Sequence, residues 1–269
     1  MLATNDPPKG NEALAPGLGE NDLHEGRSYC VRVIGRWHVH RRCRRPAESV
    51  ISGPALTRRK NSQSVLLRLE GHLKLQQQAA TDAIAKAIHA IRHESGLTLW
   101  STPSGEYWIP DGDDVILPLL LAQEARNIYG TGEWGVQPGD VVLDVGAYIG
   151  TWTKQALARG AKQVIAIEPS PASVECLKRN LAAEVAAHKV IIYPKGIWDF
   201  EGALTLFDSG DGVGNSFVEQ NSASKPLQSI PVTTIDKVAA ELRLERVGFI
   251  KSRPMSKAPP SVCSAVAPA

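Results

Sequence analysis

No stretch of this chain is apolar for long enough to cross a bilayer. The longest run, Val115 to Ala122, falls well short of the ~20 residues that a spanning helix needs, so no membrane role is expected. Nor does the start of the chain show the basic-then-apolar order of a secretory signal, which points to the cytoplasm. The four cysteines, Cys30, Cys43, Cys176 and Cys263, are scattered and are expected to be reduced thiols there. There is no Cys-x-x-Cys and no His-x(3-5)-His pair around Cys30, His38, His40 and Cys43, so no metal site is expected. Charge imbalance is also lacking. A formal net charge of +2 and a pI near 8.3 are too mild to imply a polyanion as partner for the whole molecule. The positive charge is local, with Glu48 the single acid between Arg27 and Lys60. The run Arg41-Arg-Cys-Arg-Arg45 is a common accidental feature, so a nucleic-acid partner is not expected.

What is present is enough for one good core and an appendage: 269 residues, 43% of them apolar. Residues 1–62 form a basic N-terminal segment expected to be disordered, its first 25 rich in Pro, Gly, Asn and Glu without periodicity. Residues 63–96 read as an amphipathic helical extension, because Leu66, Leu69, Leu73, Ile84, Ala87, Ile88 and Ile91 recur at three- and four-residue spacing. This face covers the domain or, in a second reading of residues 64–93, joins two copies. Residues 97–251 form the main domain, and 252–269, with four prolines, a disordered tail. Within the main domain Leu97–Trp100 and Glu106–Ile109 read as a β-hairpin. A helix follows from Val115 to Tyr129. Strands are expected at Val141–Val145, Gln163–Ile167, Val190–Tyr193, Ala203–Phe207, Ile230–Thr234 and Val247–Ile250, with helices at Thr151–Arg159, Pro171–Leu181 and Asp236–Leu244.

The centre of this pattern is Val141-Val-Leu-Asp144-Val-Gly146-Ala-Tyr148-Ile-Gly150, a buried strand running into a glycine turn and a helix. A second strand then ends at Glu168. Such a βαβ unit binds nucleotide-like ligands at the turn. A dinucleotide site wants Gly-x-Gly-x-x-Gly, and here the middle glycine is missing. Asp144 instead sets a carboxylate beside the pocket, which repels phosphate and suits an ammonium. Glu168, twenty-two positions after Gly146, can accept from both hydroxyls of a ribose. S-adenosylmethionine carries an ammonium and an adenosine and no phosphate.

Asp-Val-Gly-Ala-Tyr-Ile-Gly-Thr-Trp-Thr, Ala-Ile-Glu-Pro-Ser-Pro, Gly-Ile-Trp-Asp, Val-Thr-Thr-Ile-Asp and Phe-Ile-Lys together resemble the FkbM-type methyltransferases over roughly Leu97 to Lys251. The resemblance implies an α/β fold, a doubly wound Rossmann-like class I methyltransferase sheet, here with a helical N-terminal extension. It implies an S-adenosylmethionine-dependent transferase that O-methylates a small-molecule or glycan hydroxyl. Asp144, Gly146 and Gly150 would contact the methionine part, with the backbone of Tyr148 between them, Glu168 the ribose, and the Trp198–Asp199 turn the adenine. No catalytic base is assigned; Asp199, Asp211 and His188 are available, and His188 reads as an inert helix end. The alternative is a non-catalytic remnant that binds the cofactor or a partner.

Tyr148 stands where the family has Asn, and Gly248 where it has Asp. After Lys251 the family continues with an Asp-x-Glu-Gly-Ala segment that is absent here, so the sheet is expected to be incomplete at the C-terminus. Pro254 to Ser261, with each codon begun one base early, can spell Asp-Val-Glu-Gly-Ala-Ala-Glu, which makes a frameshift near Lys251 an expectation for the nucleotide sequence to check. A strand through Phe249 left without an outer neighbour would expose an apolar edge and lower solubility.

Overall fold

The computed structural model describes residues 29–34, 38–39, 58–208, 215–217 and 225–252. The expectations for the first 25 residues, for Arg41–Arg45, for Asp211 and for the tail beyond Ser252 fall outside them. A six-stranded sheet organises the fold, built from β1 (Tyr29–Ile34), β2 (His38–Val39), β6 (Val141–Val145), β7 (Gln163–Ile167), β8 (Val190–Tyr193) and β13 (Phe249–Ser252) in the order β2-β1-β13-β6-β7-β8. The last four run parallel. They are short β-branched runs buried on both faces, as parallel strands flanked by helices must be. The chain leaves β6 toward β7 and β8 on one side and returns as β13 on the other. This reversal is a topological switch point, and it lies at the carboxyl ends of β6 and β13.

The helices fill both faces. α3 (Thr151–Ala158), α4 (Pro171–Asn180) and α5 (Ala182–Ala186) connect the first strands. On one face Val142, Val164, Val190 and Phe249 pack with Trp152, Ala156, Leu177 and Leu181. Leu143, Ile165, Ile167 and Ile250 meet α6 (Ile235–Glu241) through Ile235 and Val238 on the other. Between β8 and β13 lies a second sheet, of β9 (Gly196–Ile197), β10 (Gly202–Asp208), β11 (Asn215–Ser216) and β12 (Lys225–Thr233), in the order β11-β10-β12-β9.

Ahead of β6 come α1 (Arg58–Ala87), a three-stranded antiparallel sheet of β3 (His89–Glu94), β4 (Leu97–Thr102) and β5 (Gly105–Pro110), and α2 (Leu117–Ala125). The expected hairpin is β4–β5, turning at Pro103-Ser104. Its apolar face, Leu97, Tyr107 and Ile109, packs with Leu117 and Leu121 of α2 and with Ile149 of the glycine turn. Asn180 fixes the same junction. Its amide accepts from Trp108 N–H at 2.7 Å and donates to Trp108 C=O and Ile149 C=O, both at 2.9 Å.

Several expectations are corrected here. Helical periodicity reads through to His93, but the helix ends at Ala87 and His89–Glu94 pairs with β4. Residues 29–34 and 38–39, read as part of a disordered segment, are strands. β1 runs antiparallel along β13, with Arg32 opposite Phe249 and Tyr29 opposite Ser252. The Phe249 strand edge expected to be bare is therefore paired. α6 begins one residue before Asp236, and its cap is Thr234, whose hydroxyl accepts from Lys237 N–H at 3.2 Å. Ser170 flanks α4, but its side chain makes no cap bond.

Candidate active site

The glycine turn is shaped by its backbone. Gly146, Tyr148 and Gly150 have φ of 72°, 53° and 84°, left-handed values that glycine adopts freely and a tyrosine only at a cost of ~1–3 kcal/mol. A Cβ on Gly150 would sit 2.8 Å from Leu181 Cδ1 and 3.0 Å from Leu177 Cδ2, so this glycine lets the turn lie directly on α4. Gly146 N–H and Ala147 N–H donate to Ile167 C=O at 2.9 and 3.1 Å, which ties the turn to the end of β7.

Glu168 completes that tie. Its Oε2 accepts from Tyr148 N–H and its Oε1 from Ser170 N–H, each at 2.9 Å. The carboxylate is buried, and desolvation outweighs the two backbone bonds, so its pKa is pushed up to about 7. One acid thus holds the strained Tyr148 backbone against the end of β7. The Tyr148 ring turns away, and its hydroxyl donates to Asp113 Oδ2 at 2.7 Å.

Asp144 is placed differently from the expectation of a carboxylate facing a ligand ammonium. It is fully buried. Its Oδ1 takes Lys251 Nζ at 2.7 Å, and its Oδ2 accepts from Thr153 Oγ1 at 2.6 Å. Lys251 also donates to Gly146 C=O at 3.0 Å and stands 5.4 and 5.7 Å from the ring centroids of Tyr129 and Trp152. Asp144 therefore serves the inner side of the turn, binding β6 to β13 and to α3. The Phe249 ring stacks on Trp152 at 5.9 Å and closes this cluster from below.

A small recess lies between α2 and the turn, walled by Leu120, Glu124, Tyr129, Tyr148, Trp152 and Lys251 among others. Burial raises the Glu124 carboxyl to about 7, opposed by a hydrogen bond from Thr151 and by the Lys251 charge. Trp152 Nε1 is buried and has no hydrogen-bond partner among the described residues.

Of the six residues expected at the site, Asp144, Gly146, Tyr148, Gly150 and Glu168 come together at the switch point. Asp199 does not join them in this cluster: it is exposed, in the turn between β9 and β10. His188 is exposed as well, at the left-handed end of α5. Glu124, Thr153, Asn180 and Lys251 were not singled out from the sequence. A lysine closing the apolar run Val247–Ile250 and a lone acid just past Val115–Ala122 were the available signals.

With this geometry in view, residues 144–252 match the methyltransferase FkbM domain. The stretch similar to that domain spans β6 to β13, from Asp144 to the strand that carries its lysine partner. No curated protein matches the chain. Among solved structures, an FkbM methyltransferase from Methylobacillus flagellatus is 15% identical, with a TM-score of 0.29, over 48% of this chain and 35% of that one. Methanocaldococcus jannaschii Trm5, solved in complex with adenosine, is 24% identical, with a TM-score of 0.27, over 38% of this chain and 30% of the other. The chain spans about a third of the length of these structures.

Proposed function

We propose that this chain binds S-adenosylmethionine at the Gly146–Gly150 turn and transfers its methyl group to a hydroxyl of a small-molecule or glycan acceptor. The observation that carries the reading is Glu168, a buried carboxylate at the end of β7, immediately beside the turn at the switch point. Each of its oxygens takes one backbone N–H and keeps a lone pair for a ribose hydroxyl. The orphaned Trp152 N–H supports the fit, since a buried donor at the recess wall lacks a partner that a polar ligand would supply.

When bound, S-adenosylmethionine would supply an electrophilic methyl on a sulfonium to an acceptor hydroxyl, with the C–S electron pair left on sulfur and the hydroxyl proton passing to solvent. The work of the chain is positioning and exclusion of water. Gly146, Tyr148 and Gly150 shape the turn, Glu168 orients the ribose, and the β4–β5 hairpin roofs the turn through Trp108 and Ile149. On this reading the functional unit extends from Leu97 to Lys251, with Asp199 on the acceptor side or at the adenine. Residues 64–93 cover the domain through Ile84 and Ile88, and a second reading, in which this stretch joins two copies, rests on Leu75, 70% exposed. Among the described residues no helix is long and apolar enough to cross a membrane, and we place the protein in the cytoplasm.

The test is titration with S-adenosylhomocysteine and with NADH, followed by transfer of labelled methyl to a panel of hydroxylated acceptors. Micromolar binding of S-adenosylhomocysteine with transfer to a hydroxyl is expected. Binding without transfer to any acceptor would favour a non-catalytic remnant, and preference for NADH would overturn the cofactor assignment.

A further inference from the structure

A carboxylate is a strong acceptor for the ammonium of the cofactor's amino-acid end, and the acid nearest in sequence, Asp144, is already engaged. Both of its oxygens have short partners inside the protein, Lys251 Nζ at 2.7 Å and Thr153 Oγ1 at 2.6 Å, and it is fully buried. Freeing it would leave the Lys251 ammonium, itself only 4% exposed, without its counter-charge. The other acid at the recess is Glu124, on the last turn of α2. It lines the recess together with Gly146, Tyr148 and Thr151, so it faces the glycine turn from across the opening.

Resting on the cofactor reading above, we propose that Glu124, and not Asp144, receives the α-ammonium of S-adenosylmethionine, while Asp144 acts only by holding Lys251 and the turn in place. The proposal uses what each environment permits. A carboxylate with two saturated oxygens in a dry interior is a structural anchor. One at the wall of a recess, taking a threonine hydroxyl with the Lys251 and Arg159 charges nearby, can still accept a charged donor. Burial raises the Glu124 carboxyl, and an ammonium in contact would favour its ionised form.

The experiment compares S-adenosylhomocysteine, which has the ammonium, with 5′-methylthioadenosine, which lacks the amino-acid end, on the full chain and on Glu124→Gln, at a pH where the carboxyl is ionised. Glu124→Gln should weaken S-adenosylhomocysteine on the order of tenfold to a hundredfold, as for loss of a charged hydrogen bond, and leave 5′-methylthioadenosine unchanged. Equal weakening of both ligands, or of neither, would overturn the assignment. Should Glu124→Gln fail to fold, carbodiimide labelling of the unsubstituted chain gives the answer: S-adenosylhomocysteine should protect Glu124 and 5′-methylthioadenosine should not, and labelling that ignores both overturns it. Failure of the parent reading looks different, since the unsubstituted chain would then bind neither ligand.

Discussion

Gly248 has no room for a side chain. Its N–H donates to Val141 C=O at 2.8 Å, and a Cβ would fall 2.2 Å from Asp140 Oδ1. An aspartate there would add both a clash and a like charge beside Asp140. Asp140 is itself committed, its Oδ2 accepting from Gln137 N–H at 2.7 Å. Gly248→Ala should therefore cost about 2 kcal/mol by overpacking, seen as a lower denaturant midpoint. Gly248→Ala in an Asp140→Ala background should cost clearly less than in the parent chain, and equal costs would show that the two positions do not couple. Glu124 and Glu168 make a second residue-scale prediction. Burial raises both carboxyls to about 7. The folded state thus holds protons more tightly than the unfolded one, so the stability these groups confer is complete below pH ~4.5 and is lost as pH rises through 7. Melting temperature should fall between pH 6 and pH 8. Glu124→Gln should flatten that fall, by about 1 kcal/mol after allowance for partial exposure; an unchanged slope would contradict the assignment.

At the scale of elements, the pairing of β6 with β13 decides whether a site exists. Their register sets Lys251 opposite Asp144, and the ion pair turns that register into a fixed distance between the turn and the β13 end. Lys251→Met should cost about 3–5 kcal/mol, because it strands a buried carboxylate. Adding Asp144→Asn should recover part of that loss in the same melting experiment, whereas additive losses would argue against a coupled pair. Sequence reading located β6, the turn, α3 and β7 well, since a β-branched run, glycines and a helical repeat are local signals. It did not find the Lys251 pairing, which joins residues 107 apart in the chain, nor the clamp that Asn180 makes across 72 positions on Trp108. It extended α1 into β3 because Ile84, Ala87, Ile88 and Ile91 keep helical spacing, while pairing with β4 decides the outcome. For β1 there was no usable local signal: the strand lies in a basic segment and is identified by its pairing with β13.

In the whole molecule, α2, the glycine turn and the end of β13 converge on one recess, with Glu168 tying the turn to the end of β7. The glycine turn and Glu168 were legible because a strand-end acid at that spacing from the glycines is a local pattern. The acceptor half was not, since the groups facing an acceptor follow no periodicity. The central claim, that the turn and Glu168 form an adenosylmethionine site, is tested most directly by calorimetric titration of S-adenosylhomocysteine into the chain and into a folded Glu168→Gln variant. The account predicts micromolar binding to the former and at least about a tenfold loss in the latter, the scale of a charged hydrogen bond. Equal affinity for the two proteins would contradict it.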